Sequence, residues 1–480
     1  MAKSLGHKAK SGIIWSAVDR YASQGIQFLI SLVMARLLMP RDYGTIAFLN
    51  VFLAICQTFI DSGFGLALMR KQDCTEKDFN TVFIFSVVIA LFCYGILWII
   101  APWISQFYDQ PILLSITRVV SLNVVINALA NVPNARLSIS LDFKKKAFVT
   151  LLTVIGSGSV GLWMAYNGLG LWALVYQALI AGAIKTILLF VYTKWLPKLQ
   201  FSKQSFNCLF TFGSKMLISG IIGNIYNNLS SIIIGKFYTP SQLGIFGKAN
   251  TLAGYPSMQM TGVILNVAYP VLAKIQDDNS QLIAAYRRML RMSTFVISPL
   301  MVGLAVIAKP FVLCVLGDKW TDMIPLLQIL CFSFMWDPIN GMNMNLLQVK
   351  GLSNLYLKLD IIKKIIGFAV FCVTIPLGIK AICIGLLIVA LINIPINTFY
   401  TQKIFGYGFY QQIKDIAPIL VHTMMMAVAV VISLHFIHTP THQLVFGVMI
   451  GILYYAFVSY LLQFEECMIL LNMLFHRTSQ

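Results

Sequence analysis

The sequence is poor in charge, and poorest in acid. Asp, Glu, Lys and Arg together make up only 11% of the 480 residues, with 17 acids against 35 bases, while 58% of the chain is hydrophobic. A soluble domain carries about 25% charged residues, and so small a polar fraction cannot cover a water-exposed surface. With a mean hydropathy of +0.80, a water-soluble globule is excluded, and lipid must be part of the solvent. Paired cysteines are also lacking. The nine cysteines include no CxxC, and the six histidines show no ligand spacing, with His435, His438 and His442 merely sharing one late loop. Neither a disulfide framework nor a metal site is indicated, and no cofactor is expected. Walker A, HExxH and GxSxG sequences are absent, and so is a GxGxxG following a strand. No soluble stretch is long enough to house one. The chain is therefore not expected to be an enzyme, and energy for any transport must come from an H+ or Na+ gradient or from the substrate's own gradient.

What is present is a succession of apolar runs. A membrane helix needs about 20 apolar residues, and runs of that length number about fourteen: roughly 13–38, 44–66, 80–104, 112–136, 147–167, 169–193, 209–236, 243–270, 292–316, 323–348, 358–378, 381–401, 415–437 and 442–464. Lys3, Lys8 and Lys10 precede the first run as they would in a signal peptide, but Asp19, Arg20, Gln24 and Gln27 interrupt it. It reads as a retained first span. The formal charge of +18 would suggest nucleic acid in a soluble protein. Here the cations fall in alternate connections, such as Arg70/Lys71/Lys77, Lys144/Lys145/Lys146, Lys194/Lys198/Lys203 and Lys274/Arg287/Arg288/Arg291, with few in the connections between. That is the pattern that orients membrane proteins, and it predicts cytoplasmic termini and no nucleic-acid partner.

The chain also echoes itself. Ala35-Arg36-Leu37-Leu38-Met39-Pro40-Arg41-Asp42-Tyr43-Gly44 returns after 200 residues as Gly235-Lys236-Phe237-Tyr238-Thr239-Pro240-Ser241-Gln242-Leu243-Gly244, pairing Pro40 with Pro240 and Gly44 with Gly244. A fixed-period repeat decides architecture. The expected fold is all-α and integral to the membrane: a lobe over 1–193, a cytoplasmic linker over 194–208, a second lobe over 209–401 related to the first by a pseudo-twofold along the membrane normal, and two extra spans with a cytoplasmic tail over 402–480.

Polar residues inside the runs mark candidate sites. Ser16, Arg20, Gln24, Gln27 and Ser31 share one face of the first helix, and Gly220, Asn224, Asn227 and Ser231 lie in register on the seventh. Such stripes face a bundle interior or a water-filled cavity; the plainer alternative is hydrogen-bonded glue between helices. Among ionisable groups, Arg20 and Asp337 lie too deep for easy snorkelling, whereas Lys215, Lys236, Arg36 and Arg118 can reach headgroups. Asp337, followed by Pro338, is a candidate proton or sodium site or a helix cap; Asp61 lies near the end of span two.

The turn Ala35-Arg36-Leu37-Leu38-Met39-Pro40 with Tyr43-Gly44 resembles the A-R-L-L-x-P-x-x-Y/F-G signature of bacterial polysaccharide exporters. Phe59-Ile60-Asp61-Ser62-Gly63-Phe64-Gly65 and Ile225-Tyr226-Asn227-Asn228 are similar to the colanic-acid-exporter branch of the O-antigen flippases, within the multidrug/oligosaccharidyl-lipid/polysaccharide superfamily. The resemblance implies an inner-membrane protein that moves undecaprenyl-pyrophosphate-linked oligosaccharide to the outer leaflet for surface polysaccharide or lipopolysaccharide biosynthesis, beside a polysaccharide polymerase machinery. On that expectation Gln24, Gln27, Asn224, Asn227 and Asn228 would hydrogen-bond sugar, Arg20, Lys215 and Arg136 would meet pyrophosphate, and Asp337 and Asp61 would couple an ion. Rivals are a multidrug/cation antiporter or a peptidoglycan-precursor lipid flippase of the same superfamily, and, from another class, a membrane scaffold, which leaves the matching stripes unexplained.

Overall fold

The computed structural model describes the backbone of residues 2–61, 64, 68, 74–140 and 142–475; within these, the side chains of 2–14, 16–20, 208–209, 211–216, 218–219, 222, 226–227, 229 and 473–475 are outside the description. The described residues are helical, with no strand among them. The principal helices are α1 (Ala2–Leu37), α2 (Pro40–Asp61), α3 (Glu76–Phe107), α4 (Ile112–Ile139), α5 (Phe143–Tyr166), α6 (Leu171–Thr193), α7 (Lys203–Phe237), α8 (Pro240–Lys274) and α9 (Asn279–Val306). They continue with α10 (Met323–Phe334), α11 (Asp337–Val349), α12 (Ser353–Thr374), α13 (Ile379–Phe405), α14 (Phe409–His435), α15 (Pro440–Leu461) and α16 (Glu465–Phe475). Among the described residues nine helices (α2–α6, α9 and α13–α15) are long and apolar enough to cross a membrane, so the chain is a multi-pass membrane protein. The expected run at 323–348 is two helices, broken at Met335–Trp336, and α12 carries Lys358, Asp360, Lys363 and Lys364. Side chains such as Phe92, Trp103, Ile187, Val421 and Phe457 stand exposed on the spanning helices, where lipid rather than water would meet them.

The chain divides into two compact units, Met1–Gly244 and Ile245–Gln480. In the first, the repeated turn takes the same form at both of its occurrences. α1 ends at Leu37 and α7 at Phe237; Pro40 and Pro240 open the next helices, a position where the missing proline N–H costs nothing. The Asp42 carboxylate accepts the Met39 N–H at 3.0 Å, and the Gln242 side-chain oxygen accepts the Thr239 N–H at 3.1 Å. Thr239 also accepts from the Gln242 N–H at 3.3 Å, completing a capping box. The two turns touch one another. A Cβ on Gly44 would lie 1.6 Å from the Pro240 carbonyl oxygen, and one on Gly244 1.9 Å from that of Pro40. The glycine hydrogens thus point at carbonyl oxygens, in contacts of the C–H···O kind worth about 0.5–1 kcal/mol each.

Elsewhere in this unit α1 packs on α5, α5 on α6 and α2 on α7. Small residues let the helices close: a Cβ on Gly158 would meet Ile30 at 2.2 Å. The segment after α6 is strapped across the start of α3. Lys198 N–H donates to Asn80 Oδ1 (2.9 Å), Ser202 N–H to Thr81 Oγ1 (3.0 Å) and Trp195 Nε1 to Glu76 (2.9 Å). Glu76 also takes both of its short bonds, 2.8 Å each, from Arg136 Nη1. Glu76→Ala should release this strap and speed tryptic cleavage at Lys194 and Lys198 severalfold in a time course on the purified protein, since exposed unpinned backbone is where proteases cut.

In the second unit the N-terminal half of α9 is tied to α14 and α16 by ion pairs. Arg287 grips Asp415 through two bonds (2.7 and 2.8 Å), Arg288 reaches Glu465 (3.0 Å) and Arg291 reaches Glu466. The Arg288–Glu465 pair is exposed on both sides, and its contribution to stability is correspondingly small.

Candidate functional site

The two expected polar stripes lie on α1 and α7, and the structure adds a third helix to them. On α1, Ser23 is buried, Gln24 is half-buried and Gln27 is exposed. Gln24 Oε1 is turned away from solvent, and no hydrogen bond to it comes from a described residue. Ser31 donates to Phe28 O of its own helix at 2.8 Å. The side chains of Arg20, Lys215 and Asn227 lie outside the described residues.

On α7, Asn224 Nδ2 donates to Thr58 Oγ1 of α2 at 2.6 Å, and Thr58 in turn donates to Ala54 O at 2.7 Å. Asn228 Nδ2 donates back to Asn224 O at 2.9 Å. Next to Thr58 on α2, Gln57 Nε2 donates to Asp61 Oδ1, one turn further on, at 3.0 Å, and Asp61 lies in the field of Lys185 on α6. Asn131 of α4 reaches Ile60 O at 3.4 Å. So α2 is the hub of a polar surface joining Gln57, Thr58, Asp61, Lys185, Asn224 and Asn228. Asp61, Asn224 and Asn228 are among the residues expected from the sequence; Gln57 and Thr58 are not. Their signal was present: Gln57 and Asp61 are spaced by one turn in an otherwise apolar run.

Arg136 is held elsewhere. Its guanidinium pairs with Glu76 and lies over the rings of Phe79 (4.7 Å) and Trp195 (5.6 Å). It lines a cavity of about 450 Å³ with Cys74, Ser140, Lys145 and Thr193, none of them on α1 or α7. In the loop beside it, burial alone would raise the Asp142 carboxyl, but bonds from the Lys145 side chain and backbone N–H and the Lys144 charge hold it below its ordinary range.

Asp337 is the first residue of α11 and not its cap; the cap position is Trp336, and no side chain caps the helix there. The carboxylate is half-buried and meets the hydroxyl of Ser257 on α8, which also lies 2.8 Å from Phe334 O.

A second buried polar constellation escaped the sequence reading. Asn343 (α11) and Gln412 (α14) form a reciprocal amide pair with both bonds at 3.0 Å, and Thr401 (α13) adds a bond to Asn343 Oδ1 at 3.1 Å. Asn397 Nδ2 donates to Asn340 Oδ1 (2.9 Å), and Asn340 Nδ2 to Ala390 O (3.3 Å). Asn343, Asn397, Thr401 and Gln412 are fully buried. Asn345, Asn393 and Asn397 each keep a buried Oδ1 with no hydrogen-bond partner among the described residues. Their spacing, 340–343 and 393–397–401, repeats the one-turn periodicity of the α1 stripe.

An all-helical multi-pass chain with polar faces on its spanning helices is the build of a membrane transporter, and solved structures share the fold. The chain is similar to the lipid II flippase MurJ in an inward closed conformation, with 14% identity, a TM-score of 0.76, and 94% of this chain and 98% of that one covered. It is also similar to an inward-facing multidrug-resistance MATE transporter, at 15% identity and a TM-score of 0.62 over 82% of this chain and 98% of that one. At such identities the likeness concerns the fold alone.

The sequence pattern of the polysaccharide biosynthesis protein family matches residues 33–325, beginning just ahead of the Ala35–Gly44 turn, and the chain belongs to that family. Among its relatives are the teichuronic acid biosynthesis protein TuaB of Bacillus subtilis, 23% identical over 95% of this chain and 96% of its own length. The lipopolysaccharide biosynthesis protein WzxC of Escherichia coli is 24% identical over 86% and 85%.

Proposed function

We propose that the protein is a flippase that carries lipid-linked oligosaccharide, with an undecaprenyl-pyrophosphate carrier, from the inner to the outer leaflet of the bacterial cytoplasmic membrane for surface polysaccharide assembly. The observation that carries this reading is the match to the polysaccharide biosynthesis family over more than half the chain. The MurJ-like fold and the hydrogen-bonding surface around Thr58 and Asn224 support it. Sugar hydroxyls need amide and hydroxyl partners, which Gln24, Gln27, Asn224, Asn227 and Asn228 supply. Pyrophosphate needs cations, for which Arg20 and Lys215 lie on the same two helices. Arg136, gripped by Glu76, serves better as an anchor of the α3–α4 corner than as a ligand. Both termini are cytoplasmic, by the distribution of Lys and Arg, and about fourteen spans form two six-helix repeats, 1–193 and 209–401, followed by two more helices. An H+ or Na+ gradient acting through Asp337, with Asp61 as a second acidic site, drives the cycle, and the product passes to polysaccharide polymerase machinery.

The test is surface polysaccharide export in cells that depend on this chain. Arg20→Ala and Gln24→Ala should each cut export severalfold at unchanged membrane abundance. Normal export by both variants would remove the α1 stripe from the transport path.

A further inference from the structure

Gly44 and Gly244 are helical residues with ordinary backbone angles; neither is among the glycines at positive φ. Glycine is a poor helix residue, so the backbone conformation does not call for it at either site. The approach of the two turns does. Each glycine faces the proline carbonyl of the other turn, at distances where even a methyl group has no room. The contact is reciprocal, Gly44 on Pro240 and Gly244 on Pro40, as two copies of one motif would make it.

The surroundings close the same end of these helices. A Cβ on Gly235 of α7 would lie 2.8 Å from the ring of Phe48 on α2, and Phe48 stacks on Tyr108 at 4.4 Å. Lys236 Nζ donates to Phe107 O at the end of α3 (2.7 Å) and lies over the Phe107 ring at 4.4 Å. Thr58 follows Gly44 by fourteen residues and Asn224 precedes Gly244 by twenty. Counted along α2 from Gly44 to Thr58, and along α7 from Asn224 to its end at Phe237, the seal therefore stands roughly 20 Å from the Thr58–Asn224 surface.

From this geometry we infer that the paired turns are the outer gate of the transport path: the Gly44–Gly244 contact shuts the outer end and parts once in each cycle. The inference rests on the proposed orientation and function, because a substrate that engages Asn224 from the cytoplasm and leaves outward must pass this end. A backbone-to-backbone contact suits the task. It holds no interdigitated side chains, so it separates and re-forms without repacking, and its C–H···O contacts are individually weak. Lys236, bonded to the α3 terminus, ties the closed position.

The experiment is labelling of Gln27→Cys in intact cells by a membrane-impermeant maleimide, with the chain bearing only its native cysteines as blank, alongside export and abundance in the Gln27 background. Gly44→Ala and Gly244→Ala should each raise outside labelling roughly threefold or more, because a methyl group at the seal biases the population toward the open form. Both should lower export at normal abundance. Unchanged labelling with normal abundance overturns the gate, whether export falls or not, since a fall alone would mark static packing. If the alanine variants do not accumulate, Lys236→Met loosens the tie without adding volume at the seal and should raise labelling in the same direction; no rise overturns the inference. Labelling does not depend on the cargo, so a positive labelling result in a chain that exports no polysaccharide would overturn the proposed substrate and leave the gate standing.

Discussion

Asn343→Leu alone should destabilise the protein strongly, and adding Gln412→Leu should restore much of the loss. Asn343 uses all of its amide: Nδ2 donates to Ile339 O (2.9 Å) and Gln412 Oε1, while Oδ1 accepts from Gln412 Nε2 and Thr401 Oγ1. Both amides are fully buried. Removing one leaves both polar ends of Gln412 and the Thr401 hydroxyl in an apolar surround, each such orphan costing about 1–3 kcal/mol. The summed effect should be near 3 kcal/mol rather than the full total, because Thr401 already bonds Asn397 O (3.3 Å) and Gln412 also meets Tyr286. Removing both amides replaces a satisfied polar pair with an apolar one, which is close to neutral in principle. Thermal unfolding of the detergent-purified single and double variants measures the difference. If the two single losses simply add, the amides do not act as a pair.

How much of this was legible beforehand follows from the range of each interaction. The two turns were readable because their determinants are local. Proline at the first helical position and a side-chain acceptor three residues after the cap lie within one turn, and the copy at 235–244 repeats them. The α1 and α7 stripes rest on one-turn spacing, which is likewise a local pattern. What could not be read is which helix each stripe meets. Asn224 turns to Thr58 across 166 residues, Gln412 to Asn343 across 69, and Arg136 to Glu76 across 60. No periodicity encodes those pairings. The polar stretch 194–208 shows the same limit. Its composition marks a change of environment, yet Trp195, Lys198 and Ser202 bind back onto α3, α7 begins within it at Lys203, and the first compact unit continues to Gly244. Composition reports solvent exposure, whereas a unit's limit depends on which helices pack together, here α7 on α2.

On the proposed coupling through Asp337, Asp337→Asn should reduce export roughly tenfold at physiological sodium and pH, where a lost charge–ion contact worth more than about 1.4 kcal/mol would be felt. The chain holds only 17 acidic residues, and a carboxylate drawn away from water, as Asp337 is, needs a partner, a water or a bound ion. Asp337 sits where a helix is broken between Phe334 and Asp337, with the amide end of α11 beginning at the carboxylate itself. That end of a helix offsets part of the cost of an anion. The break also leaves Phe334 O and the Ser257 hydroxyl beside it, so oxygen donors are at hand for a small monovalent cation or for a relayed proton. Asp337→Glu keeps the charge and should retain gradient dependence with altered apparent affinity. Asp337→Asn should flatten the response of export to sodium and to pH together. A response to one of the two that survives in Asp337→Asn assigns that ion to another site, with Asp61 beside Lys185 the next to test, and survival of both removes Asp337 from coupling.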